Sequence, residues 1–291
     1  MRRSAPRGAP ALALAATLAC VLEASAEKVG NVSPTHRFAD MSFPDFVDSA
    51  AALGPAIAQA RPGRVGWAVW KAVAAARRAV PTNTHLGVAL LLAPLAAAWK
   101  GGRQGRLRTR VTRVLARLGV DDARWAYRAI RLARPGGLGR SGQADVRRAP
   151  AIGLRAAMAL AADRDSIASE YAGDFALTFT VGLPALRRAL RRRLSLLDAI
   201  AHAHLELVAA VPDTLIARKN GPAAAEAVSA RARRVLQSGG WHTRLGREAA
   251  ARLDRWLRRE GNRLNPGTSA DLIAASLFVW LLEMGLEAGG Q

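Results

Sequence analysis

The chain is 291 residues long, 51% hydrophobic and 22% charged, enough apolar material for a sizeable core and too little charge density for a disordered polymer. Its net charge of +21 would ordinarily point to nucleic acid, but 39 of the 43 cations are arginine and alanine and glycine are abundant, the coding bias of a GC-rich genome, so phosphate-rich small molecules suit the basic surface as well as DNA does. The single cysteine, Cys20, excludes an internal disulfide framework and a cysteine-based zinc site.

Apolar periodicity is helical almost throughout, with no alternating strand-like runs joined by hairpin dipeptides, so the expected fold is all-α. At the N-terminus, Arg2-Arg3, an apolar stretch over 11–21 and Ala24-Ser25-Ala26 imitate a secretory leader. Pro10 followed by alternating alanine and leucine is equally an ordinary helix start, and Glu23 falls where the apolar stretch should close. Ser42-Phe43-Pro44-Asp45 opens a helix over 46–60 with a capping serine, a first-turn proline and an acid three residues on. Another helix spans 64–80, and Thr82-Asn83-Thr84 offers caps to an apolar helix over 86–99. A basic helical pair covers 103–118 and 121–133. The Gly-, Arg- and Ser-rich stretch 134–143 reads as a surface loop within one helical domain spanning 1–291, and as the place where a sub-domain boundary would fall. Helices then follow over 146–162, 166–179, 183–197, 197–211, 222–238, 244–259 and 269–288. The apolar runs 86–99 and 272–286 are shorter than the ~20 residues of a membrane span and are interrupted by Pro94 and Glu283, so they read as buried helices and no membrane partner is expected.

No P-loop, dinucleotide-binding glycine motif, His-Glu-x-x-His or nucleophile elbow is present. His202 and His204 stand two apart and face different ways on a helix, which argues against a shared metal. What remains is five polar islands: Glu23 to Asp40, with Lys28 and Asn31; Asn83-Thr84-His85 with Gly87; Asp163-Arg164-Asp165-Ser166 on to Tyr171; His204 to Asp213-Thr214, Arg218 and Lys219; and Asn265-Pro266-Gly267-Thr268-Ser269-Ala270-Asp271. Each has an ordinary structural role open to it, as helix cap, first-turn acid or tight turn. Together they supply helix N-termini for phosphates and carboxylates for a divalent cation.

Read in order, these islands resemble the triphosphoribosyl-dephospho-CoA synthase family. The resemblance rests on Leu22-Glu23 with Lys28-Val29-Gly30-Asn31, Phe38-Ala39-Asp40-Met41, Phe46-Val47-Asp48-Ser49-Ala50, Asn83-Thr84-His85-Leu86-Gly87, Arg164-Asp165-Ser166-Ile167-Ala168, Asp213-Thr214, and Asn265 through Leu272. It spans about 15–282 and includes Glu23 and Lys28, so a leader cleaved after Ala26 would cut through it. The resemblance implies an all-helical cytoplasmic enzyme with its active site at converging helix ends. It implies transfer of a triphosphoribosyl group from ATP to 3′-dephospho-CoA with release of adenine, Mg²⁺ as the expected companion of ATP, no nucleic-acid partner, and compatibility with a homodimer. Residue chemistry laid over the matched motifs makes Asp213, His204 and Asp165 the catalytic candidates, with Asp213 or His204 as the base. Asp163 or Asp165, with Asp271, would hold Mg²⁺, and Arg164, Arg218 and the Ser269 helix start would contact phosphate oxygens. Asn31, Asn83 and His85 would position the nucleotide, and Glu23, Lys28 and Asp40 complete the binding set. Val29 stands where the family usually carries proline and Leu86 where it commonly carries lysine. Those departures look like a branch of archaea and methylotrophs, for which the alternative is ribosyl-phosphate transfer to a pterin-type one-carbon carrier precursor. A basic helical binding protein is the alternative from outside enzymology.

Overall fold

In the computed structural model, which describes residues 8–99, 107–137, 139 and 143–285, helices begin where the sequence supplies caps. Among the described residues there are fourteen α-helices: α1 (Ala9–Ser25), α2 (Phe43–Ile57), α3 (Val65–Ala79), α4 (Leu86–Ala98), α5 (Leu107–Leu115), α6 (Val120–Ala133), α7 (Leu154–Ala159), α8 (Ser166–Ala172), α9 (Leu183–Arg191), α10 (Leu196–Ala210), α11 (Thr214–Asn220), α12 (Pro222–Gln237), α13 (Arg244–Leu257) and α14 (Gly267–Glu283). The one extended pairing is an isolated bridge between Ser33 and His36. Arg2 and Arg3, the start of the basic helix at 103, positions 138 and 140–142 of the loop, and the end of the last helix at 288 lie outside the described residues.

The capping box at α2 forms as its residues dictate, Asp45 accepting from the Ser42 backbone N–H (2.7 Å) and hydroxyl (2.8 Å). The segment that imitates a leader, α1, is a core helix packed against α2 and α14, with Ala15, Ala16, Ala19 and Cys20 fully buried. Helices α4 and α14 are apolar around their whole circumference and pack together, as helices enclosed on all sides must be. No single helix among the described residues is long and apolar enough to cross a membrane. Pro94 has no N–H for the Leu90 carbonyl one turn back, and the Tyr171 hydroxyl donates to that carbonyl instead (2.7 Å). This bond ties α8 to α4 and holds the α8 start over the site described below.

Two expected helices are shorter in the structure. Of 146–162 only α7 is helical: Pro150 intervenes, and Gly153 lies so close to the Leu118 carbonyl that a Cβ would stand 2.5 Å from its oxygen. The expected helix over 166–179 breaks after Ala172, where Asp174 and Phe175 take φ of 55° and 57°, before a π-helical turn over Thr178–Gly182. Buried Glu170 satisfies the new helix start by accepting from Leu177 N–H (2.7 Å), Thr178 N–H (3.0 Å) and the Thr178 hydroxyl (2.5 Å). Helix α11 was hidden in the fourth polar island, too short for a periodic signal. The large apolar cluster draws on α1 to α10 and α14, while a smaller one joins Val29 with α10 to α13. Helix α10 contributes to both.

Candidate active site

Glycine at two positions lets distant segments meet. Gly30, at φ 70°, turns the first island onto α13 and the Asn265-Pro266 turn, where a Cβ would lie 2.8 Å from Leu257 Cδ1 and 3.0 Å from Pro266 Cδ. Gly87, on the first turn of α4, carries the Asp271 carboxylate directly against it; a Cβ there would stand 2.0 Å from Oδ2. The result is a cavity of about 1030 Å³ whose wall includes residues of all five islands. Glu23, Asn31, Asp40, Asn83, His85, Arg164, Asp165, Arg218 and Asp271 line it. Lys28, Asp163, His204, Asp213 and Ser269 do not.

Those five are held elsewhere for identifiable reasons. Asp163 is exposed and meets Arg164 at 3.4 Å. Buried Lys28 pairs with Glu23 (3.0 Å) and donates to the Ala26 carbonyl (3.3 Å), so it braces a lining residue from behind. Asp213 caps α11 by accepting from Leu215 N–H (2.9 Å) and Ile216 N–H (3.1 Å), while its other oxygen accepts from Ser269 N–H (2.7 Å) and hydroxyl (2.8 Å). The Ser269 N–H that was expected to meet phosphate is thus spent on a carboxylate. Burial raises the Asp213 carboxyl above its ordinary range, and the Ser269 and α11 donors pull it back. His204 is wholly buried, with Nε2 3.3 Å from Asn31 Nδ2 and no partner for Nδ1 among the described residues. Burial, aided by Lys28, lowers it to about 3. The ring lies outside the wall, its Nε2 also 3.5 Å from the Pro266 carbonyl. His202 faces the other way, against Trp241 and Glu206.

The starts of α8, α11 and α14 converge beside the cavity. The Thr214 hydroxyl accepts from Ser166 N–H (3.2 Å) and donates to Thr268 Oγ1 (3.2 Å). Asp165 caps α8 by accepting from Ile167 N–H (2.9 Å) and Ala168 N–H (3.2 Å), and its second oxygen holds Arg218. Arg77, Arg134, Arg164, Arg218 and Lys219 all contribute to the wall. Arg77 and Arg134 were not singled out from the sequence, and among 39 arginines nothing in their positions marks them. Lys219 donates to the Asn262 carbonyl (3.2 Å); burial lowers its ammonium from its ordinary value while Asp40 and Asp213 oppose that.

Asp271 differs from every other carboxylate of the wall. Among the described residues it accepts no hydrogen bond and joins no ion pair. Desolvation first, then the charges of Glu23 and Asp213, push its carboxyl well above the ordinary range. Glu23 is raised as well by burial, with Lys28 opposing. Asn83 caps the first turn of α4, the turn against which Asp271 lies, by accepting from Leu86 N–H (3.3 Å).

The donor set speaks to the expected Mg²⁺. No group of three His, Cys, Asp or Glu among the described residues could hold a metal ion. Both oxygens of Asp165 are engaged, Asp163 lies outside the wall, and Asp271 stands alone. These residues do not fit a resident metal site.

Comparison with known proteins agrees with the order of the islands. The family CitG, ATP:dephospho-CoA triphosphoribosyl transferase, matches residues 9–289. A Pseudomonas fluorescens protein named “Probable 2-(5''-triphosphoribosyl)-3'-dephosphocoenzyme-A synthase” is 29% identical over 246 residues, 84% of this chain and 76% of that protein. A solved structure named “Crystal structure of putative triphosphoribosyl-dephospho-coA synthase from Archaeoglobus fulgidus” superposes with a TM-score of 0.63 at 26% identity, covering 81% of this chain and 97% of the other. With a match running nearly from end to end and the same all-helical fold, the chain belongs to the ATP:dephospho-CoA triphosphoribosyl transferase family.

Proposed function

We propose that the cavity joins ATP to 3′-dephospho-CoA, forming the 2′-(5″-triphosphoribosyl) derivative and releasing adenine. The observation that carries this reading is the meeting of five polar segments, far apart in sequence, on one cavity whose wall combines several cations with one unpartnered carboxylic acid. The reaction breaks the bond from ribose C1 of ATP to adenine N9 and forms a bond from that carbon to the acceptor's 2′-oxygen. Such a displacement passes through an oxocarbenium-like state, which leaving-group protonation favours. Asp271, held protonated by its surroundings, gives its proton to the departing adenine. The resulting carboxylate receives the proton of the attacking hydroxyl, so one side chain serves both ends and regains its starting state. Arg164, Arg218 and Lys219 neutralise the phosphates. A Mg²⁺ that enters is carried by the nucleotide's own phosphates, as is usual for this ion.

Asn31 and Asn83 present amide groups to the nucleotide, Glu23 keeps Asp271 protonated, and Asp213 and His204 are positioning residues behind the wall. We read the chain as one domain, since α11 of the smaller apolar cluster and α4 of the larger face the same cavity. A cytoplasmic location follows from the use of ATP. Leu86, which lines the cavity in place of the family's common lysine, favours a second reading in which the acceptor is pterin-like. Incubating the protein with ATP and dephospho-CoA and analysing products by mass spectrometry tests both. Adenine together with the triphosphoribosyl adduct is expected; adenine appearing only with a pterin-type acceptor would transfer the case to the second reading, and none with either would end both.

A further inference from the structure

His85 lines the cavity at 2% exposure, yet its Nε2 has no hydrogen-bond partner among the described residues. Its other ring nitrogen is fixed from behind. Ser49 Oγ lies 2.6 Å from Nδ1, 2.8 Å from the Thr84 hydroxyl that donates to it, and 3.2 Å from the Phe46 carbonyl to which it donates. Ser49 has one proton, and the carbonyl can only accept. All three contacts are satisfied together only if Nδ1 carries the imidazole proton and donates to Ser49. Nε2 is then a buried lone pair without a partner among the described residues, on a ring that lines the cavity. Phe46 holds the ring edge-to-face at 5.4 Å, so the lone pair's direction is set as well as its chemistry.

The surroundings narrow what that lone pair accepts. Burial alone displaces this ring from its ordinary value, to about 4, with no charged group contributing. Asp271 and Lys219, in contrast, each feel several charges. Phe46 and Leu86 line the cavity beside His85, apolar neighbours that suit the face of a flat heterocycle better than a phosphate. We propose that His85 Nε2 accepts a hydrogen bond from the exocyclic amino group of an adenine ring, and that the Ser49–Thr84 hydroxyl pair is the positioning device that keeps it an acceptor. A six-oxo purine presents an oxygen lone pair at the same place and is repelled. The inference rests on the transfer reading above and deepens it, because both the donor nucleotide and the acceptor of that reaction carry adenine.

The test compares ATP with inosine triphosphate and purine ribonucleoside triphosphate, and dephospho-CoA with its deaminated form, by calorimetric binding and by product formation. A buried acceptor left unpaired should cost the analogue about tenfold or more in affinity. Discrimination in the donor arm assigns His85 to ATP; discrimination in the acceptor arm assigns it to dephospho-CoA. His85→Phe, which keeps the ring packing, should bring the discriminating ratio to near one. Ser49→Ala should lower it while leaving Nε2 in place, which loss of packing alone would not do. Equal binding of amino and oxo purines in both arms overturns the proposal, and so does a ¹⁵N spectrum showing the proton on Nε2. Preserved amino-group selectivity in binding without any product would instead overturn the transfer reading and leave the role of His85 standing.

Discussion

Asp213 and Asp271 are carboxylates of successive polar islands, each near the start of a helix, and they are treated in opposite ways. Asp213 sits where α11 begins and receives four donors, three of them backbone N–H groups and one the Ser269 hydroxyl. Asp271, two residues beyond Ser269, receives none among the described residues and lies on the bare Cα of Gly87. Both are desolvated, and both are raised. The difference is what the desolvation is used for. Around Asp213 it strengthens bonds that join α11 to α14. Around Asp271 no hydrogen bond among the described residues offsets it, only the charge of Arg218 opposes it, and the carboxyl's affinity for a proton is strengthened. A fold that must place one reactive acid needs a second, unreactive one to clamp the helix that bears it.

The largest effect should come from breaking the clamp. Asp213→Ala removes the α11 cap and leaves the buried Ser269 N–H and hydroxyl without their acceptor, so unfolding stability should fall by about 2–4 kcal/mol. Chemical denaturation measures this; an undiminished midpoint would show that the four bonds carry no weight. Asp271→Asn should do the reverse. Product formation should drop about a hundredfold or more as a proton donor is lost, while the protein becomes more stable at neutral pH. The sign follows from linkage. A carboxyl whose folded pKa is raised binds protons more tightly in the native state, so its penalty grows as pH rises through that raised value. The stability gain of the variant should therefore vanish below about pH 4, where folded and unfolded carboxyls are both protonated. Thermal melts across pH read this directly, and a gain independent of pH would refute it. For the same reason the unmodified enzyme should lose activity as pH rises through the Asp271 pKa.

This contrast was only half legible in the sequence. That the islands gather was readable from their order, and the cap at Ser42 from local spacing, whereas Asp165 read as a first-turn acid or a metal ligand and is the cap of α8. Which carboxylate faces the cavity was not, because a cap and a catalytic acid are the same residue type at the same kind of helix start. The decision is made by partners 56 residues away, Ser269 for Asp213, and by the missing side chain of Gly87 for Asp271. Ser49 stood in a matched motif but its contact with His85 went unread for a similar reason: it lies 36 residues before that histidine, buried on α2 amid alanines. The shortened helices near 146–162 and 166–179 failed on long-range terms also, a close approach to Leu118 and the capture of a turn by Glu170, neither of which periodicity registers.

A smaller effect probes the cationic wall beside this pair. Arg218 contacts Asp165, and both side chains keep roughly a quarter of their exposure. An ion pair that open to water should contribute at most about 1 kcal/mol to stability. Arg218→Ala should instead appear in the KM for ATP, raised about tenfold by the loss of one charged hydrogen bond to phosphate, with kcat little changed. A fall in kcat at constant KM would place Arg218 at the reacting carbon, and the division of labour between the phosphate wall and Asp271 would need redrawing.

The smallest effect belongs to Asp163, which the sequence made as good a metal ligand as Asp165. Its side chain is 80% exposed and touches only Arg164. If the nucleotide's own phosphates carry Mg²⁺, Asp163→Asn should leave activity and its dependence on Mg²⁺ concentration within about twofold of the parent, since exposed pairs of this kind have little energy to lose. Measuring product formation against Mg²⁺ for the two proteins separates the cases. A shift of the Mg²⁺ midpoint by tenfold would mean that Asp163 swings inward to meet the ion, and that the wall gains a further carboxylate when substrate arrives. Asp271 would then no longer be the lone acid on which the contrast with Asp213 depends.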